Sequence, residues 1–264
     1  MTVGASFMEC NGAALRYELS GAGPAAMVLI HELGGSLDSW ETLVPLLPAG
    51  VRVLRYDLRG AGLSEKVRGT LDADVLCDDL AVLLGALDLP TPVSVLGAAI
   101  GAAIAVRFAN RHAKLCKRLI LVGPALGVPR GRRESALALA DKVEREGMRA
   151  IAGDLFARAF PEALWRSGTD KAVAQARWLG ADPLGYAAAY RMLIAMDAAG
   201  DLARIACPVL VLAGRHDPFG RPDLVQAAIR VIPGVRFLVV EGGHFMSVQN
   251  PGCMAEAIGE FIRA

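Results

Sequence analysis

In Val93-Ser94-Val95-Leu96-Gly97-Ala98-Ala99-Ile100-Gly101, an apolar β-branched start runs into small residues, and this junction decides the fold. It predicts a buried strand over 93–96 and a helix over 100–110. Gly97 and Gly101 bracket the junction with the spacing G-x-S-x-G, the sharp strand-to-helix turn that raises a nucleophilic side chain above a sheet; glycines permit the close packing such a turn needs. The central position holds alanine, Ala99. Tight helix–strand packing alone also selects glycines four apart, so support has to come from the rest of the chain.

Outward from this junction, strands and helices alternate. Residues 6–19 read as two short strands about the Asn11-Gly12 turn, 26–30 as a buried strand ending at His31, 37–47 as a helix stopped by Pro48, and 51–56 as a strand. Over 72–87, Val75, Leu76, Leu80, Leu83, Leu84 and Leu87 form one helical face, and 119–122 is a further strand. Strand 207–212, helix 222–231, strand 235–240 and helix 251–262 close the chain. This order predicts an α/β fold, a mainly parallel sheet with helices on both faces, binding its ligand outside the carboxyl ends of the strands. Over 129–201 the alternation gives way to several helices, read as a lid (cap) insertion above the pocket, with 1–128 and 202–264 as the core domain.

Of the 264 residues 54% are hydrophobic, enough for a large core, and 28 Lys plus Arg against 27 acids give a net charge of +1. That balance argues against nucleic acid or an anionic membrane as partner, though not against a small anionic substrate. Residues 89–106 carry no charge and are long enough to suggest a membrane helix, but Pro90, Pro92, Gly97 and Gly101 break them up. The five cysteines (Cys10, Cys77, Cys116, Cys207 and Cys253) are scattered, which fits neither a zinc site nor a disulfide framework and predicts a cytoplasmic protein. The start, MTVGASFMEC, lacks the pattern of a signal peptide.

Two strand-end loops supply chemistry. Gly214-Arg215-His216-Asp217 places a carboxylate after one strand, and Glu241-Gly242-Gly243-His244 places an imidazole after the next. The order nucleophile position, Asp, His is that of a triad in which Asp217 orients His244 and His244 acts as base. His216 is read as a bystander because adjacent side chains on an extended loop point apart. His112 is read as a surface residue, and His31 as a buttress of its loop. An oxyanion hole needs two backbone N–H groups; Ile100, at a helix start, and Leu33, in His31-Glu32-Leu33-Gly34-Gly35, are the candidates.

On these residues the chain resembles the α/β-hydrolase superfamily over nearly its whole length, and within it the 3-oxoadipate enol-lactonases. The likeness includes Val53-Leu54-Arg55-Tyr56-Asp57-Leu58-Arg59-Gly60, Arg145-Glu146-Gly147-Met148-Arg149-Ala150-Ile151-Ala152 and Asp182-Pro183-Leu184-Gly185-Tyr186-Ala187. The resemblance implies an eight-stranded, mainly parallel sheet with a helical lid. It also implies a cofactor-free, metal-free serine hydrolase that cleaves a small carboxylated enol-lactone, ester or amide through an acyl-enzyme. Three positions depart from the pattern: Glu32 where glycine is common, Ala61 where histidine is common, and Ala99 for the serine. The chain is accordingly read as an inactive variant whose parent carries serine at 99. Two alternatives stay open: a hydrolase of a C–C bond or an N-formyl amide in aromatic or heterocycle degradation, and a natural non-catalytic binder of a small ligand. Arg130, Arg132 and Arg133, with Arg133 foremost, are candidates to bind a substrate carboxylate. Trp165, Trp178 and Tyr190 are candidates to line the lid face, and Glu32 to meet a substrate N–H or hydroxyl.

Overall fold

Asn11 and Gly12 take consecutive positive φ angles of 48° and 74°, as a tight hairpin turn of matching twist requires. They fold β1 (Val3–Cys10) onto β2 (Ala13–Ser20). A computed structural model describes residues 3–164 and 168–263. The hairpin opens an 8-stranded sheet in the order β1-β2-β4-β3-β5-β6-β7-β8, with β3 (Ala25–Ile30), β4 (Val51–Tyr56), β5 (Val93–Ala98), β6 (Cys116–Val122), β7 (Val209–Gly214) and β8 (Arg236–Val240). Among the described residues only the pairs made by β2 are antiparallel. Every residue of β5 and β7 is buried, because helices cover both faces of the parallel part.

Side chains alternate between two cores. Val28, Ile30, Val93 and Val95 meet α1 (Ala73–Ala86) and α2 (Ile100–Arg111) on one face. Met27, Leu29, Leu96 and Ala98 meet Trp40 and α10 (Pro251–Arg263) on the other. Between β6 and β7 lie α3 (Arg133–Glu146), α4 (Arg149–Ala159), α5 (Gly168–Leu179), α6 (Pro183–Ala195) and α7 (Ala198–Leu202); α8 (Pro222–Ile229) and α9 (Met246–Gln249) follow. A third apolar cluster joins Val143, Ile151, Phe156, Phe160, Trp178 and Tyr186 of the inserted segment to Phe245. The inserted helices rest on two strand-end loops. A Cβ on Gly34 would press on the Trp178 ring, and one on Gly185 would press on the Gly60 carbonyl.

The helix expected over 37–47 is instead two short 3-10 turns, Leu37–Trp40 and Val44–Leu46. The apolar spacing is real, since Leu37, Trp40 and Leu43 are buried, but Pro45 lacks the N–H that an α-helical ladder needs. The uncharged run 89–106 divides between β5 and α2. Among the described residues no helix is long and apolar enough to cross a membrane, and no His, Cys, Asp and Glu cluster could hold a metal ion. Cys116 and Cys207, far apart in sequence, bring their sulfurs to 3.9 Å as free thiols.

Candidate active site

The junction between β5 and α2 turns through a single residue. Ala99 stands at φ 48°, ψ −113°. Its N–H donates to the Val122 carbonyl at 3.0 Å, and its own carbonyl accepts from Ala102 and Ala125, each at 3.1 Å. The flanking glycines are needed because the backbone passes so close by: a Cβ on Gly97 would strike the Gly101 carbonyl, and one on Gly101 the Ile30 carbonyl of β3. A non-glycine residue held in such a region stores about 1–3 kcal/mol, usually at functional sites. Ala99→Gly should therefore stabilise the fold by about 1 kcal/mol, the relieved strain exceeding glycine's extra unfolded-state entropy. An increase in the urea midpoint is expected; a decrease would show that the turn is unstrained.

Asp217 follows β7 and is 2% exposed. Its carboxylate accepts from the backbone N–H of Phe219 at 2.8 Å and Gly220 at 3.0 Å, and from His244 Nδ1 at 3.0 and 3.1 Å. Burial alone would raise the Asp217 pKa; the imidazole charge, its hydrogen bond and the two N–H groups outweigh burial and hold it below the usual value. Burial likewise disfavours a charged His244, but the charge and hydrogen bond of Asp217, with a contribution from Glu32, lift its pKa above the ordinary imidazole value. The ring stands edge-on to Phe219 and Phe245, with centroids 5.0 and 5.8 Å away. With Nδ1–H donating to Asp217, the neutral tautomer leaves the Nε2 lone pair free to accept a proton.

The segment 122–125 links this pair to Ala99. Val122 and Ala125 hold the Ala99 backbone, while a Cβ on the intervening Gly123 (φ 47°) would lie 2.9 Å from Asp217 Oδ2 and 4.0 Å from His244 Nδ1. Ala99, Asp217 and His244 thus gather around one short loop.

The loop after β3 is built as a rigid arch. His31 Nδ1–H donates to the Glu32 carbonyl at 2.7 Å, Gly35 N–H donates to the same carbonyl at 2.9 Å, and His31 Nε2 accepts from Leu58 N–H at 3.1 Å. Both His31 nitrogens are used, so it buttresses its loop. Below it the fully buried Asp57 accepts from Leu37 N–H at 2.6 Å, Leu63 N–H at 2.7 Å and Arg16 at 3.5 Å. Among the described residues the N–H groups of Leu33 and Ile100 have no backbone acceptor, and Ile100 opens α2, whose dipole favours negative charge there.

Glu32 and Trp178 line a cavity of about 470 Å³ together with Arg16, Arg177 and Phe245. Leu33 and Ile100 line a smaller one of about 30 Å³ beside Tyr186. Arg133 and Tyr190 line neither. The buried stripe of α3 starts at Ala136 and leaves Arg133 in solvent with Arg130 and Arg132; the Tyr190 ring packs toward Tyr186, with centroids 6.4 Å apart. Trp165 lies outside the described residues. His216 pairs with Glu241 at 2.5 Å on the surface, and His112 with Asp78 at 2.8 Å. The cavity cations Arg16 and Arg177 and the ring neighbour Phe219 had no distinguishing signal in the sequence. Gly123 sits just past a strand end, where a search of the 123–131 loop could have found it.

Residues 25–251 match the model of the alpha/beta hydrolase fold family, and the chain belongs to that family. Within it, the chain is 27% identical to 3-oxoadipate enol-lactonase 2 of Acinetobacter baylyi, over 95% of this chain and 94% of that protein. Among solved structures it is similar to the enol-lactonase from Burkholderia xenovorans LB400 (TM-score 0.92, 26% identity, 98% of this chain and 100% of that one). It is also similar to a thermophilic esterase from Thermogutta terrifontis (TM-score 0.91, 27% identity, 99% and 98%).

Proposed function

We propose that this chain is the scaffold of a serine hydrolase for carboxylic esters, lactones or amides, with Ala99 at the nucleophile position and the helices of 129–201 as its lid. One observation carries the proposal: Ala99 keeps a strained strand-to-helix backbone beside a formed Asp217–His244 pair, and a pocket that only binds needs neither. A serine hydroxyl at 99 would attack the substrate carbonyl while His244 Nε2 takes its proton. The N–H groups of Leu33 and Ile100 would hold the oxyanion, and Asp217 would steady the imidazolium. His244 would then protonate the departing alcohol or amine, and water would release the acyl group. Alanine cannot form the acyl bond, so the present chain would bind substrate and stall. The enol-lactonase and esterase relatives support the choice of bond.

The test is covalent. An aryl fluorophosphonate should add one phosphonyl group to the Ala99→Ser form, mapped by mass spectrometry to position 99, and none to the present chain. A serine form that stays unlabelled sinks the proposal. Ala99 itself favours a second reading, a natural binder that never turns its ligand over. An alanine codon at position 99 in the natural gene would support that reading, and a serine codon would remove it.

A further inference from the structure

Among the described residues, five charged side chains border the cavity of about 470 Å³: Arg16, Glu32, Asp38, Glu41 and Arg177. Four of them pair off. Arg16 meets Asp38 at 3.0 Å and also reaches Asp57 at 3.5 Å, and Arg177 meets Glu41 at 2.5 Å. Glu32 is left over. It is only 8% exposed; its Oε1 accepts from the Ser39 hydroxyl at 2.8 Å, and among the described residues Oε2 has no donor. Trp178 and Phe245 line the same cavity.

With one oxygen held by a hydroxyl, Glu32 has its other oxygen free to accept from a guest in the cavity it lines, and a cation is the strongest such donor. Aromatic faces alongside favour the same guest, since their quadrupoles attract positive charge. We infer that this cavity receives an ammonium group: the substrate is an ester, lactone or amide carrying a protonated amine, and Glu32 selects it. The bond type rests on the proposed hydrolase function; the ammonium rests on the cavity alone. A carboxylated substrate finds no spare cation on the cavity wall among the described residues. Arg158 does not line the cavity; it is exposed, with its guanidinium 5.0 Å over the Phe219 ring. Glu32 also directly precedes Leu33, a proposed oxyanion donor, and its charge is felt at His244. A negative oxygen developing beside an uncompensated carboxylate is disfavoured, and a bound ammonium removes that repulsion. Selectivity should therefore be larger in kcat/KM than in binding.

Three ligands of matched length decide the question: 5-aminopentyl acetate, hexyl acetate and 6-acetoxyhexanoate, titrated calorimetrically into the chain as it stands. The ammonium ester should bind about 10–100-fold tighter than hexyl acetate, the range of a charge-assisted contact. Glu32→Gln should bring the two within a few fold while hexyl acetate binding is kept, and Arg158→Ala should change nothing. Should Glu32→Gln fail to fold, the ligand comparison on the unaltered chain still decides. Equal binding, or tighter binding of the carboxylate, overturns the inference. The Ala99→Ser form assayed on the same esters separates the two claims. Hydrolysis without ammonium preference keeps the hydrolase and removes the role of Glu32; ammonium preference in binding without any hydrolysis does the reverse.

Discussion

Ala99→Ser is expected to raise kcat on an activated acetate ester by about 10⁶-fold, equivalent to about 8–9 kcal/mol of barrier. On the proposed mechanism the gain is large because the serine oxygen is the one group that substitution would have to supply. The backbone at 99 already has the elbow conformation, φ 48° and ψ −113°. Asp217 already fixes the proton on His244 Nδ1, and the N–H groups of Leu33 and Ile100 are already without backbone acceptors among the described residues. None of these features has to be created, so under the proposed mechanism the introduced hydroxyl would meet a base and an oxyanion site already in place. Stopped-flow hydrolysis of p-nitrophenyl acetate should show a burst of about one equivalent per chain, the sign of acyl-enzyme accumulation. Ala99→Gly keeps the turn without a hydroxyl and should show no burst. A serine form no faster than the alanine form would mean that His244 does not face residue 99.

The sheet was legible in the sequence because its strands are short apolar runs bounded by glycine, proline and charge. Val51–Tyr56 has the expected limits, and Val93–Ala98 runs two residues further into the elbow than expected. Asp217 and His244 were legible because the fold brings consecutive strand ends to one edge, so a carboxylate after β7 and an imidazole after β8 become neighbours. Contacts set by packing between distant segments were not legible. Arg133 was expected to face a substrate and lies in solvent, whereas Arg177, with nothing to distinguish it in sequence, reaches Glu41 across 136 positions. Helical spacing shows which residues share a face of an inserted helix; which face turns toward the core depends on how Phe156, Phe160, Trp178 and Phe245 pack. The same limit applies to Glu32. Its neighbours in sequence place it near the oxyanion loop, but only the pairing of Arg16 with Asp38 and of Arg177 with Glu41 shows that it is left without a cation.

In the serine background, Asp217→Asn should lower kcat by about 10⁴-fold with little change in KM. The amide would occupy nearly the same volume among the N–H donors of Phe219 and Gly220, so geometry is preserved while the proton is misplaced. An asparagine NH₂ can donate to Nδ1, which selects the tautomer with hydrogen on Nε2, and that nitrogen can then no longer accept a proton. The pH profile follows from the same pair. His244 must be neutral to act as base and its pKa is raised, so kcat/KM should climb with pH through a midpoint above about 6.5, the unperturbed imidazole value; Asp217→Asn should move that midpoint down. Stability must run the other way. A histidine whose folded pKa exceeds its unfolded one stabilises fully below about pH 6.5 and loses that contribution as pH rises through the folded value. Asp217, with its pKa depressed, contributes above its unfolded value of about 3.9 and loses it as pH falls through the folded one. The urea midpoint of the present chain should therefore fall as pH rises from about 6.5 toward the midpoint of the serine form's activity, and Asp217→Asn should flatten the stability curve while it moves the activity curve to lower pH. If the urea midpoint does not fall between about pH 6.5 and the midpoint of the activity curve, the group that limits catalysis is not the histidine held by Asp217.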